Sequence, residues 1–363
     1  MKKKALSLVL ASAFALSLLT GCGNKAKDTD TKEQTTITTE ADTEVQTSTQ
    51  PIKQEGTEAT DRAGNTIYLP EKIDKIVSMS PATTRFLIDL GLGSKIIAID
   101  TNSADYIDKL SSDVKQFDMM APDNEALVQL DPDIIFTSGM SNSGGEDVYQ
   151  PARDAGICVA DIPSSASFED IVKDLEFIGT AVGEKDKTAK IIDEFNSKLD
   201  EIKKIGETIT DKKKVLFELS IPSAEYPSLY TFGSGTYLDE MITTIGAENV
   251  TGDQNSWVSI SEEEAIAMNP DVIITNVTYV DNVTDVIKSA AGWENVTAIQ
   301  NDAVYFIDSN SSNQPNQHVL DAMIQMAKQI YPDEYKSLKD PFASATDAIS
   351  SSGDATASTG DAE

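Results

Sequence analysis

Three scarcities frame this 363-residue sequence: one histidine (His318), two cysteines (Cys22 and Cys158) and three arginines (Arg62, Arg85 and Arg153). With so few soft or imidazole ligands there is no His-Glu-x-x-His zinc motif and no Cys-x-x-Cys redox pair. A Gly-x-Ser-x-Gly elbow and a phosphate-cradling glycine loop are also missing. The "GLG" at 91–93 follows a helical pattern, which is the wrong context for a dinucleotide. An enzyme would have to be built around His318, for instance as a Ser-His-Asp triad, and nothing else in the sequence supports one. Arginine is the usual clamp for carboxylates and phosphates, so its shortage argues against a strongly anionic ligand. A formal charge of −31 excludes nucleic acid as a partner.

What is present begins with a leader. Lys2, Lys3 and Lys4 precede an apolar run, Ala5 to Leu19, that ends in "LLTGC". The run is too short and too poorly flanked for a spanning helix and reads as a secretory signal over residues 1–21. Cys22 after "LTG" resembles a bacterial lipobox, which implies cleavage before Cys22 and lipidation of its thiol; the alternative is a plain secreted chain with a spare cysteine. Residues 22–56 are rich in Thr, Glu, Lys, Gln and Asp and nearly free of core formers, so they read as a disordered tether with a reach of about 30 Å. The Ser/Ala/Thr/Gly-rich end, residues 342–363, reads as a second disordered segment. Cys158, in "AGICVADI", is expected to be a small core hydrophobe of a strand.

Between these ends, short apolar β-branched runs alternate with helical patterns, which implies an α/β fold with mainly parallel sheets. One phrase occurs twice. "LDPDIIFTS" (130–138) and "MNPDVIITN" (268–276) each read as a helix end, a Pro-Asp junction and a buried strand. The repetition implies two similar lobes, 57–183 and 211–341. Between them the stripe Ile191, Phe195, Leu199 and Ile202 marks an amphipathic helix from about Glu184 to Lys204, inside a linker 184–210. Such a rod is stiff and limits hinge opening. The fold class is therefore α/β: two Rossmann-like lobes joined by one long α-helix, with the ligand cleft between the lobes.

The leader, "DRAGNTIYLPEKIDKIVSMSPATTRFLIDLGLGSKIIAID", "EALVQLDPDIIF", the long connector and "SWVSISEEEAIAMNPDVII" together resemble the helical-linker substrate-binding lipoproteins of ABC importers. "YTFGSGTYLDEMITTIGAENV" gives a finer likeness to the cobalamin-binding members. Haem and ferric-siderophore binders share the framework. The resemblance implies a non-enzymatic monomer without a cofactor. It would be lipid-anchored at the extracellular face of a Gram-positive type of cell membrane, and its partners would be an ABC permease and its ATPase.

The resemblance also implies site residues. Glu125 and Glu263, each seven residues before the repeated proline, would dock onto permease arginines; compensation of a helix dipole explains acids there equally well. Glu262 and Glu264 leave the register at Glu263 open. Trp257 matches an aromatic position that contacts a flat ligand. Met119, with its neighbour Met120, departs from the family aromatic yet offers a soft surface. Tyr106, Tyr230 and Phe232 are further aromatic candidates, with core packing as the alternative for each. In the loop "SNSSNQPNQH" the amides of Asn310, Asn313, Gln314 and Gln317 suit a neutral, carboxamide-edged ligand such as a corrinoid; the alternative is a solvated loop capping a helix. His318 is expected to face solvent at a helix start, with ligation of a metal in the ligand as a remote alternative. A sensing or adhesion lipoprotein would keep the cleft and dispense with the permease.

Overall fold

The two Pro-Asp junctions show how the chain builds its sheets. The structure is a computed structural model, and it describes residues 56–342 apart from 143. The leader, Cys22, the tether as far as residue 55 and the tail from residue 343 lie outside the described residues. In both copies the residue before proline is left-handed, with φ 50° at Asp131 and 47° at Asn269. That conformation stops the short helices Asn124–Gln129 and Glu262–Met268, and the proline cannot restart them. The next aspartate then pins the neighbouring strand. Asp133 Oδ2 accepts from the Asp74 and Lys75 backbone N–H groups at 2.7 and 2.8 Å. Asp271 Oδ2 accepts from the Lys214 N–H at 2.9 Å.

The first lobe holds a five-stranded sheet, in the order Lys115–Phe117, Ile96–Asp100, Ile76–Ser78, Ile134–Phe136, Cys158–Ala160. The second holds a four-stranded sheet, Glu248–Asn249, Lys214–Glu218, Val272–Thr275, Val304–Phe306. Every neighbour in both sheets is parallel. The repeated strand occupies the same place in each, beside the first strand of its own parallel sheet: Ile134 pairs with Ile76, and Val272 with Val215. The fold is therefore two Rossmann-like lobes. The repeated strands are buried on both faces, which is why they read as unbroken apolar runs. Cys158 lies buried in its strand, and that burial pushes its thiol up to about 11.

Two short antiparallel pairs decorate the lobes: the hairpin Thr57–Thr60 with Thr66–Leu69, and Leu229–Phe232 with Trp257–Ile260. The connector is the helix Lys185–Gly206, 22 residues and about 33 Å long. Phe195 and Ile202 of the expected stripe are buried, Ile191 and Leu199 half-buried, and Ile192 joins them. A glycine seats the helix on each lobe. A Cβ on Gly179, in the first-lobe helix Phe168–Ala181, would lie 1.8 Å from the Thr188 hydroxyl of the connector. A Cβ on Gly206 would lie 2.1 Å from the Thr244 carbonyl of the second lobe. Contacts this close hold the rod against both lobes along its length.

Candidate functional site

Segments that follow the carboxyl ends of the parallel strands meet between the lobes, where α/β sheets bind ligands. Ser80, Ser138 and Ile162 do so from the first sheet, Leu219 and Asn276 from the second. They enclose a half-open cleft of about 510 Å³. Its floor is Leu175 and Ile178 of the helix Phe168–Ala181.

The first-lobe wall is the start of the helix Pro81–Asp89 together with thioethers. Ser80 is its N-cap and makes no side-chain cap bond, so the first-turn N–H groups of Ala82 and Thr83 have no partner within the helix. Met119 and Met140 complete this wall. The second-lobe wall is aromatic. Tyr230 and Trp257 stack at 6.2 Å between centroids, 16° from parallel, and remain 42% and 43% exposed. They come from opposite strands of the antiparallel pair, whose register sets Trp257 opposite Phe232. Phe232 lies behind them: it is fully buried, edge-on to Trp257 at 6.4 Å and against Phe217 at 5.2 Å.

An amide edge closes the remaining side. Asn276 Nδ2 donates to Asn313 Oδ1 at 2.7 Å and to Ser312 Oγ at 2.9 Å. Gln314 Oε1 accepts from the Tyr106 hydroxyl at 2.5 Å. Among the described residues no arginine, lysine or histidine lines the cleft, and the one carboxylate in its lining, Asp174, is already satisfied. Asp174 accepts from Ser165 Oγ at 2.7 Å and from Arg62 Nε at 2.5 Å. Burial raises its pKa, and these two partners offset only part of that.

The structure thus brings Met119, Tyr230, Trp257, Asn313 and Gln314 to one cleft. It places the others outside the cleft lining. Phe232 is core, because it fills the space behind Trp257. Tyr106 is 3% exposed beneath the Arg85 guanidinium and acts by holding Gln314. Met120 is not part of the cleft lining and lies exposed on a turn closed by Asp118. Asn310 Nδ2 donates to Asp105 and Gln317 Nε2 to Asp89, so both amide NH2 groups are spent on the first lobe outside the cleft lining. His318 is only partly open to solvent, and its two ring nitrogens contact Asp89 and Asp321. Sequence reasoning missed Asn276 and Ser138, although each is the last residue of the repeated phrase. It also missed Asp174, for which no local signal exists.

The chain is similar to known proteins. A family model described as "Periplasmic binding protein" matches residues 76–311. The chain belongs to this family. A Bacillus subtilis relative, "Uncharacterized ABC transporter substrate-binding lipoprotein YvrC", is 29% identical over 93% of this chain and 100% of its own length. A "Cobalamin-binding protein" of Halobacterium salinarum is 23% identical over 74% of this chain and 72% of its own. Among solved structures, the Haemophilus influenzae molybdate-binding protein MolA superposes with a TM-score of 0.66, at 18% identity, over 78% of this chain and 93% of its own. The family is one of binding proteins, not enzymes, and carries no cofactor of its own.

Two carboxylates stand on the outer surface of this periplasmic binding protein fold. Glu125 is exposed in the first turn of its helix, with only a 3.5 Å contact from Gln129. In the second lobe the three glutamates divide their work. Glu262 accepts from the Trp293 indole at 3.2 Å, and Glu264 closes a capping box with Ser261. Glu263 is exposed and makes no hydrogen bond among the described residues.

Proposed function

We propose that this is the solute-binding lipoprotein of an ABC importer. It is anchored through Cys22 at the extracellular face of the membrane and captures cobalamin or a related corrinoid. The observation that carries the ligand is the lining of the cleft: a stacked Tyr230–Trp257 platform, an edge of carboxamides and hydroxyls, and, among the described residues, no cationic side chain. A flat macrocycle gains large contact area on such a platform at low entropy cost. A corrinoid's neutral amide rim pairs with Asn276, Asn313 and Gln314 without a charge to neutralise. Molybdate, or the propionates of haem, would meet no cationic side chain among the described lining residues and only the first-turn N–H groups of Ala82 and Thr83, a weaker counterpart to a full charge in an apolar cleft.

Glu125 and Glu263 are the proposed permease contacts, one on each lobe, free to accept arginine forks. Closure on binding is small, because the connector is seated on both lobes. Calorimetry with cyanocobalamin, cobinamide, haem and a ferric siderophore tests the ligand. Corrinoids giving no heat at tens of micromolar, while haem or the siderophore binds, would overturn it. Alanine at both Glu125 and Glu263 should abolish uptake with calorimetric affinity unchanged; normal uptake would remove the docking role and favour a sensor or adhesin.

A further inference from the structure

We propose that His318 is a charged tie between the lobes, holding the amide loop against the first lobe only while its imidazole is protonated. The argument is one of donors and acceptors. His318 is the N-cap of the second-lobe helix Val319–Ile330. Its Nε2 lies 2.8 Å from Asp89 Oδ2, on the last residue of the first-lobe helix Pro81–Asp89, and its Nδ1 lies 2.8 Å from Asp321 Oδ2. A neutral imidazole has one donor and one acceptor, whereas an ionised carboxylate only accepts. Either neutral tautomer would therefore set one lone pair against another. Imidazolium satisfies both contacts.

The surroundings agree. Burial alone would lower the imidazole pKa, but the bonds to Asp321 and Asp89 outweigh it and hold it above the ordinary 6.5, with Arg85 opposing. Asp89 is shifted the other way: burial raises it, and His318 and Arg85 bring it below the usual carboxylate range. The same Asp89 oxygen accepts from Gln317 Nε2 at 2.7 Å and, at a longer 3.4 Å, from Arg85 Nε. At that end of the helix Lys187 of the connector, paired with Glu184, caps the Leu90 carbonyl.

The tie lies on a seam that borders the cleft. Asn316 Nδ2 donates to the Ala82 carbonyl at 3.3 Å, Tyr106 to Gln314, and Asn310 to Asp105 at 3.0 Å. Asn313, Gln314 and Asn316 line the cleft from one side, and Ala82 and Thr83 from the other. Of the cross-lobe pairs in this seam, only that of His318 changes charge near neutral pH. A pKa raised in the closed form means the tie is fully present below the ordinary imidazole pKa. It is lost as pH rises through the raised value. Loss of the tie loosens the mouth of the cleft and speeds release; this last step rests on the proposed binding role.

His318 is the chain's one histidine, so a single imidazole Cε1–H resonance reports it. In the full-length protein without ligand it should titrate above 6.5 and move down in both Asp89→Asn and Asp321→Asn. Titration at or below 6.5, or no change in Asp89→Asn, would overturn the tie. Melting of wild type and His318→Gln gives a second reading. The wild-type advantage should be largest at pH 5–6 and vanish toward pH 9, whereas a difference independent of pH means simple packing and rejects the proposal. Cyanocobalamin should leave the wild type several-fold faster at pH 9 than at pH 6, and at equal rates from His318→Gln; equal rates in the wild type would reject control of release. Failure of cyanocobalamin to bind would count against the ligand alone, since the titration and melts require none.

Discussion

The two lobes share a framework and differ in their walls. Aligning the strands by the repeated phrase sets Ile76 against Val215, Met79 against Glu218, and Ser80 against Leu219. Ser80 and Leu219 both line the cleft, so the framework delivers equivalent positions to the same place. What it delivers differs: hydroxyls, a helix start and thioethers from one side, aromatic rings and amides from the other. Backbone geometry decides where a site is, and side chains decide what it takes. The seats of the connector differ as well. Gly206 meets the Thr244 backbone carbonyl, whereas Gly179 meets the Thr188 side chain, which can rotate. Gly206→Ala should therefore cost about 3 kcal/mol or more, beyond the roughly 1 kcal/mol that alanine gains in a helix. Gly179→Ala should cost about half as much. Urea unfolding of both variants checks the order, and equal costs would mean that the rod is not held more firmly at its second-lobe end.

The walls should also differ in energy. Trp257 presents a large face stacked on Tyr230 and braced from behind by Phe232, so Trp257→Ala should weaken cyanocobalamin binding about 30- to 100-fold. Met119 is 8% exposed and offers one flexible thioether, so Met119→Ala should lose only about three- to fivefold. Calorimetric constants that reverse this order would move the platform to the first lobe.

Glu218 marks a third departure. Its counterpart Met79 is fully buried and apolar, whereas Glu218 is a carboxyl, 2% exposed, with no hydrogen-bond partner for its side chain among the described residues. Burial, with the nearby Glu262 charge, pushes it up to about 8. Because the folded form holds its proton more tightly than the unfolded form, stability falls as pH rises from the usual carboxylate range through about 8. Glu218→Met, which copies the first lobe, should remove this dependence and add about 2 kcal/mol at pH 9, with little gain at pH 5. Thermal melts across that range show it. A gain of the same size at both pH values would mean better packing and not the removal of a buried charge.

Much of this architecture is legible in the sequence because it is local. Left-handed Asp131 and Asn269, the prolines that follow and the apolar runs beyond them are written within a few residues of one another. The cleft is less legible because it depends on pairings across the chain. Arg62 reaches Asp174 over 112 positions, and His318 reaches Asp89 over 229. Alternation in an extended strand leaves neighbours with opposite fates, and depth separates even residues of one face. Tyr230 and Phe232 share a face of their strand, yet one is open and the other sealed against Phe217. The glutamate triplet shows the same limit: a capping box and an indole bond single out Glu263, and although Ser261-x-x-Glu264 is written locally, the bond from Trp293 to Glu262 spans 31 positions and only the fold reveals it.

The smallest expected effect tests the shared framework itself. Asp133 and Asp271 do the same work, but Asp133 takes two backbone N–H groups and Asp271 one. These carboxylates sit near the surface, where water can replace part of each bond. Asp133→Ala should then cost about 1.5 kcal/mol and Asp271→Ala about 0.8 kcal/mol in urea unfolding. Asparagine at either position keeps an acceptor oxygen and should recover most of the loss. If alanine costs nothing at both, proline and the left-handed turn alone set the strand register, and the repeated aspartate is not a structural pin.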